Sequence, residues 1–194
     1  MDELLRYRKN ALLDGLCKDW DKMWAACRND KNKLMRLVLM QQSFPHFATY
    51  CHNGKGLTKE YLQKEFGEYI NGRVFCDCDN VEGYSYEMFV DPKSGIELTV
   101  DVSYVLWSPN LYMSVAKTKA PRIYISNGST VYLSLDGFNS PMIYLYDNSK
   151  VVIDDADEES NVIVYKYSDE ASVECGKYCL CDVKEFRKDL RLQL

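Results

Sequence analysis

VSYVLWSPNLYMSVAKTKAP (102–121), RIYISNGSTVYLSLDGFNSP (122–141), MIYLYDNSKVVIDDADEESN (142–161) and VIVYKYSDEASVEC (162–175) align in rows of 20 without a gap. A fixed period near 20 marks stacked structural repeats. One column holds Ser103, Ile123, Ile143 and Ile163, and the next but one holds Val105, Ile125, Leu145 and Tyr165. A second arm stacks Leu111, Val131, Val151 and Ala171, then Met113, Leu133, Ile153 and Val173. Between the arms lies a column of turn residues, Ser108, Gly128, Asn148 and Ser168. Each row reads as one coil of two alternating strands, and the aliphatic columns of successive coils bury a continuous interior. The intervening columns carry Tyr104, Tyr124 and Tyr144 on one arm and Tyr112 and Tyr132 on the other. These point outward, and strands about 4.8 Å apart suit ladders of stacked rings. Strands every ten residues would also fit an antiparallel β-sandwich. A meander gives no reason for a 20-residue register, so the solenoid is preferred. On this reading Tyr124 should be replaceable by Ala, whereas Asp at Ile143 or Val151 should unfold the coils.

Upstream the period changes. Val74-Phe-Cys76, Tyr84 to Val90 and Ile96 to Val100 look extended, with turns at Asn80, Gly83 and Asp91-Pro92. Before them, apolar residues recur at three and four. Asp2 caps a helix ending at Gly15, and Leu16, Trp20, Met23, Trp24 and Cys27 line a second. Asp30 caps a third through Met40, Phe44 to Tyr50 forms a short aromatic one, and Thr58 caps the last. The expected organisation is α+β: a helical region over 1–70, connecting strands over 71–101, a parallel β-solenoid over 102–181 and a capping tail over 182–194. A cap is what an open strand edge needs.

The net charge of −5 argues against nucleic acid as a partner, because phosphate binding wants clustered Lys and Arg. The basic run Lys184, Arg187, Lys188 and Arg191 reads as a solvated helix face. No apolar run reaches the ~20 residues of a membrane span, and the N-terminus lacks a basic, then apolar, leader. The expected compartment is the cytoplasm. There the eight cysteines should be reduced, and Cys76/Cys78 and Cys179/Cys181 read as small core residues of strands. Cys175-x₃-Cys179 has a zinc-like spacing, so metal and redox chemistry compete with packing. His46 and His52 are the only histidines, and Cys51-His52 are poorly placed as a nucleophile–base pair. Asp154, Asp155, Asp157, Glu158 and Glu159 read as a solvated corner without calcium-loop spacing. No phosphate-loop, dinucleotide, nucleophile-elbow or metalloprotease motif occurs, so no catalytic residue, cofactor or metal is expected.

Tyr144-Leu-Tyr-Asp-Asn-Ser-Lys-Val151 followed by Val162-Ile-Val-Tyr-Lys-Tyr-Ser-Asp169 resembles a group of uncharacterised proteins from gut Bacteroidales genomes and their phages or mobile elements. In that group a helical region precedes coils of the form LYDNSKV…KVYVYKHS. The likeness continues more loosely through Gly56-Leu-Thr-Lys-Glu-Tyr-Leu62 and Gly67-Glu-Tyr-Ile70. It implies a phage- or element-encoded protein, and no activity comes with it. Fifteen tyrosines against seven phenylalanines suggest many half-wet rings, although tyrosine is also an ordinary strand residue. The first functional expectation is a non-enzymatic interaction protein. It would bind and modulate a host protein through the helical region and a solenoid face carrying Tyr104, Tyr112, Tyr124, Tyr132 and Tyr144. The second is a protein sequestering a small anionic, nucleotide-like ligand between the helices and the first coil, with Lys117, Lys119 and Arg122 meeting phosphate. The third is a structural or virion-associated oligomer.

Overall fold

The structure, a computed structural model, describes residues 3–15, 17–28, 30–39, 44–72, 74–76, 85–116, 118–136, 139–154, 160–176 and 179–185. Among the described residues five helices come first: α1 (Glu3–Leu13), α2 (Lys18–Ala26), α3 (Lys31–Leu39), α4 (Phe44–His52) and α5 (Lys59–Phe66). Their starts follow the capping chemistry. The Thr58 side chain accepts from the Tyr61 N–H at 3.2 Å, and the Asp30 carboxylate accepts from the N–H groups of Asn32 and Lys33. Tyr7 is the hub, its ring 5.7–6.1 Å from those of Trp20, Trp24, Phe47 and Tyr50. The Arg6 guanidinium donates to the Gly56 carbonyl at 2.6 Å, tying α1 to the loop after α4. A Cβ at Gly56 would come within 2.7 Å of the Cys51 backbone nitrogen, so this close approach requires glycine.

Twelve strands follow among the described residues: β1 (Val74–Cys76), β2 (Ser85–Val90), β3 (Ile96–Glu97), β4 (Val102–Leu106), β5 (Leu111–Val115), β6 (Arg122–Ser126), β7 (Thr130–Leu135), β8 (Met142–Leu145), β9 (Lys150–Ile153), β10 (Asn161–Lys166), β11 (Ser172–Cys175) and β12 (Leu180–Glu185). They form two sheets, ordered β1-β2-β4-β6-β8-β10-β12 and β11-β9-β7-β5-β3. Every pairing is parallel except β1 with β2. The chain therefore winds from one sheet to the other, once per coil. It is an α+β protein whose helices precede a parallel β-solenoid, and the antiparallel sandwich is excluded.

The solenoid is longer than the repeat suggested. Tyr86 lies opposite Val102 and Ile96 opposite Met113, so the connecting strands of 71–101 already include a coil, shortened slightly at its first corner and mainly at its second. At the other end Leu180 lies opposite Asn161, so part of the tail forms a further strand. Residues 186–194 lie outside the described residues.

Rows one to three stack in the predicted register. Row four does not. Ile143 lies opposite Val164 rather than Ile163, and Val151 opposite Val173 rather than Ala171. One extra residue enters between β9 and β10, and another between β10 and β11. Burial explains the slip: it turns Val162 and Val164 inward and leaves Ile163 at the surface. Tyr165 thereby falls beneath Tyr144 instead of in the Leu145 column.

Corners rest on left-handed residues. Asp91, Trp107, Asn127 and Asp147 have φ near +50° at equivalent positions of four coils. The Asp147 carboxylate accepts from the N–H groups of Asn127 at 2.6 Å and Gly128 at 3.1 Å one coil earlier. Buried Ser129 and Ser149 hydroxyls complete these corners by donating to the Ser126 carbonyl and the Asp147 carboxylate.

Two interiors result. One lies between the sheets and holds Ile123, Ile125, Leu133, Ile143, Leu145, Val151 and Val164. The other joins all five helices to the outer face of the seven-stranded sheet through Met88, Val90, Tyr104, Leu106, Tyr124 and Tyr146. The layers are helices, long sheet, short sheet. The long sheet is covered on both faces over β2, β4 and β6, whereas β12 at its far edge is mostly exposed.

Candidate functional face

That layering separates the two tyrosine columns. Tyr86, Tyr104, Tyr124, Tyr144 and Tyr165 stack along the long sheet, with centroids 4.5–6.4 Å apart. They point away from the solenoid interior, as their alternation requires. However, the helices lie on them: Tyr104 is 0% exposed, Tyr124 is 4% exposed and Tyr144 is half-buried. The Tyr104 hydroxyl donates to the Leu39 carbonyl at the end of α3. The expected exposed face of Tyr104, Tyr124 and Tyr144 is thus corrected to an internal seam. Nothing in the solenoid repeat signals this, because the covering surface comes from helices elsewhere in the chain, Leu39 lying 65 residues before Tyr104.

Tyr112 and Tyr132 behave otherwise. They lie on the outer face of the short sheet, stacked at 4.9 Å and 17°, and Tyr112 is 64% exposed. Alternation along β5, β7, β9 and β11 places two columns side by side there. One is Tyr112, Tyr132, Val152 and Glu174, and the other begins with Ser114 and Ser134. Tall rings beside short hydroxyls make a groove along the coil axis of about 810 Å³. Its walls are mainly apolar, and its charged lining residues are Glu97, Asp154 and Glu174, all acidic. Lys150 reaches Glu174 at 2.6 Å from the neighbouring column.

The basic residues expected to meet phosphate are not gathered here. Lys119 is exposed at a corner, Arg122 is half-buried beside the internal ladder, and Lys117 lies outside the described residues. The Arg122 charge favours the ionised phenols of Tyr104, Tyr124 and Tyr144, yet burial dominates and holds all three above the usual tyrosine range.

Burial pushes the Cys51 thiol well up, and His52 faces Asp147 at 3.8 Å, so the neighbours Cys51 and His52 point to different surroundings. The His46 side chain, the side chain of Cys76, Cys78, the acidic residues 155–159 and the basic residues Arg187, Lys188 and Arg191 lie outside the described residues. Cys175 is exposed on β11, and the Cys181 thiol is raised by burial first and by the neighbouring Cys175 next. Among the described residues no group of three or more His, Cys, Asp or Glu is arranged to hold a metal ion. None of the described helices is long and apolar enough to cross a membrane.

One polar residue escaped notice in the sequence. Glu87 of β2 lies opposite Ser103, in the column that continues as Ile123 and Ile143, so its carboxylate points into the solenoid interior. It is 3% exposed and accepts from the Thr99 hydroxyl at 2.9 Å. Burial holds its carboxyl above the usual range, partly offset by Thr99 and Ser103. The irregular first coil hid the alternation that would have flagged it.

No protein-family model matches the chain, and neither a curated protein nor a solved structure does.

Proposed function

We propose that the chain is an interaction protein that binds a protein partner through the outer face of the short sheet. The observation carrying this reading is the stacked pair of exposed Tyr112 and half-buried Tyr132 in an open apolar groove, on the sheet face that the helices leave uncovered. A large exposed aromatic surface on a rigid strand array offers contact area at little entropic cost. The internal ladder serves the fold instead, which concentrates the functional surface on Tyr112 and Tyr132. Modulation of a host protein by a phage- or element-encoded chain is the biological form this reading takes.

The test is photocrosslinking in the producing cells, with a benzophenone amino acid placed at Tyr112 or Tyr132 and, as control, at exposed Met23 on α2. A discrete protein crosslinked from both tyrosine positions and absent from the Met23 control is the expected result. It should also vanish when Ser134 is replaced by Arg. Crosslinks equal from all three positions, or none from the tyrosines, would remove the reading.

A further inference from the structure

The tyrosine column on the short sheet stops one rung early. Ile96 lies opposite Met113 and Glu97 opposite Ser114, so the residue opposite Tyr112 on β3's rung is Gly95. A Cβ at Gly95 would meet the Tyr112 Cβ at 3.7 Å and its carbonyl oxygen at 3.4 Å, ordinary contact distances. A side chain would therefore fit there and would lie over the Tyr112 ring, as Tyr112 lies over Tyr132. Glycine leaves that rung empty of side chain. One face of Tyr112 is stacked on Tyr132, and the other looks into the end of the groove lined by Gly95 and Glu97.

We propose that this rung is a receptor slot for a planar cation, the guanidinium of an arginine in a basic segment of the partner, stacked on Tyr112 beside the Glu97 carboxylate. The inference rests on the docking reading above and names the chemistry of its partner. Three features select that chemistry. An aromatic face attracts a cation, and a guanidinium is flat enough to occupy one rung of a ladder spaced at 4.9 Å. It can meanwhile hydrogen-bond a carboxylate in the adjacent column, which an ammonium meets only as a point charge. Glu174 is already paired with Lys150, and the carboxylates of Glu97 and Asp154 favour basic segments and repel nucleotides and other phosphates, whose bases could otherwise stack there.

The experiment uses the full ¹⁵N-labelled chain and two capped pentapeptides, Ac-Gly-Ser-Arg-Ser-Gly-NH₂ and its lysine counterpart. The arginine peptide should shift the amides of Gly95, Glu97 and Tyr112 and bind about two- to fivefold more tightly than the lysine peptide. Gly95→Tyr should fill the slot by lengthening the ladder, keep the fold and abolish those shifts. Tyr112→Leu, which keeps apolar area but loses the π face, should remove the arginine preference. Equal binding of the two peptides, or undiminished arginine binding by Gly95→Tyr, overturns the slot. A partner crosslinked from Tyr132 as strongly in Gly95→Tyr as in the parent also overturns it, while leaving the docking reading intact. Arginine selectivity with no crosslinked partner would instead keep the slot and remove the docking.

Discussion

Residues of one type do opposite jobs here according to which sheet carries them. Tyr124 is packed between Tyr104 and Tyr144 under the helices, so truncating it opens a cavity. Tyr124→Ala should lose about 3 kcal/mol of stability in urea unfolding, the usual cost of deleting a buried aromatic side chain. Tyr112→Ser should stay within about 0.5 kcal/mol of the parent, as exposed substitutions do. Equal losses would mean that both ladders are structural. Glu87 adds a pH signature. Its folded carboxyl lies above the ordinary value, so between the unfolded and folded pKa values the native state binds more protons. Stability from this group is thus fully present below the unfolded pKa and is lost as pH rises through the folded one. Glu87→Gln, which can still accept from Thr99, should be more stable than the parent at pH 7, with the gap closing on acidification. A gap that widens toward low pH would mean that the carboxylate is favourable as an anion.

Among the elements, the corners matter as much as the strands. Asp147 sits at φ +47° and its carboxylate serves two N–H groups of the preceding coil. Asp147→Ala leaves those donors without this acceptor and should cost about 2 kcal/mol. Asp147→Asn, which tolerates the left-handed region and keeps an acceptor, should cost less. Equilibrium unfolding of the two variants checks the order, and a reversed order would remove the corner from the account of stability. Within the strands, Ile143→Asp should abolish the coil signature in far-ultraviolet circular dichroism. It would place a charge between Ile123 and Val164 in a dry column.

At the level of the whole molecule, the helices and the long sheet share one apolar interior, so neither should unfold without exposing the other. Trp20 and Trp24 report on the helices and Trp107 on a solenoid corner. Fluorescence of a Trp107→Phe chain and of a Trp20→Phe, Trp24→Phe chain should therefore give the same shape of transition, each coincident with circular dichroism of the same chain. A solenoid signal that outlives the helical one would show the seam to be a weak interface. The short sheet keeps one uncovered face, and that asymmetry gives the chain its candidate docking surface.

The repeat was legible because a parallel stack imposes a strictly local rule. Each inward column must be apolar in every coil, and Ile123, Ile143, Val131 and Val151 obey it at a fixed spacing. The helices were legible for a similar reason, since Thr58 and Asp30 act on N–H groups two or three residues away. The slip in row four was not, because a 20-residue alignment still paired apolar residues while burial selected Val164 over Ile163. Nor was the first coil, whose irregular spacing of 16 between Tyr86 and Val102 breaks the period. The residue sequence alone determined that coils form and, for the three rows from Val102 to Asn161, which side chains face outward from them. Only the tertiary structure decided which outward ladder meets water, because that depends on where distant helices dock, and docking is set by complementary surfaces rather than by any period in the chain.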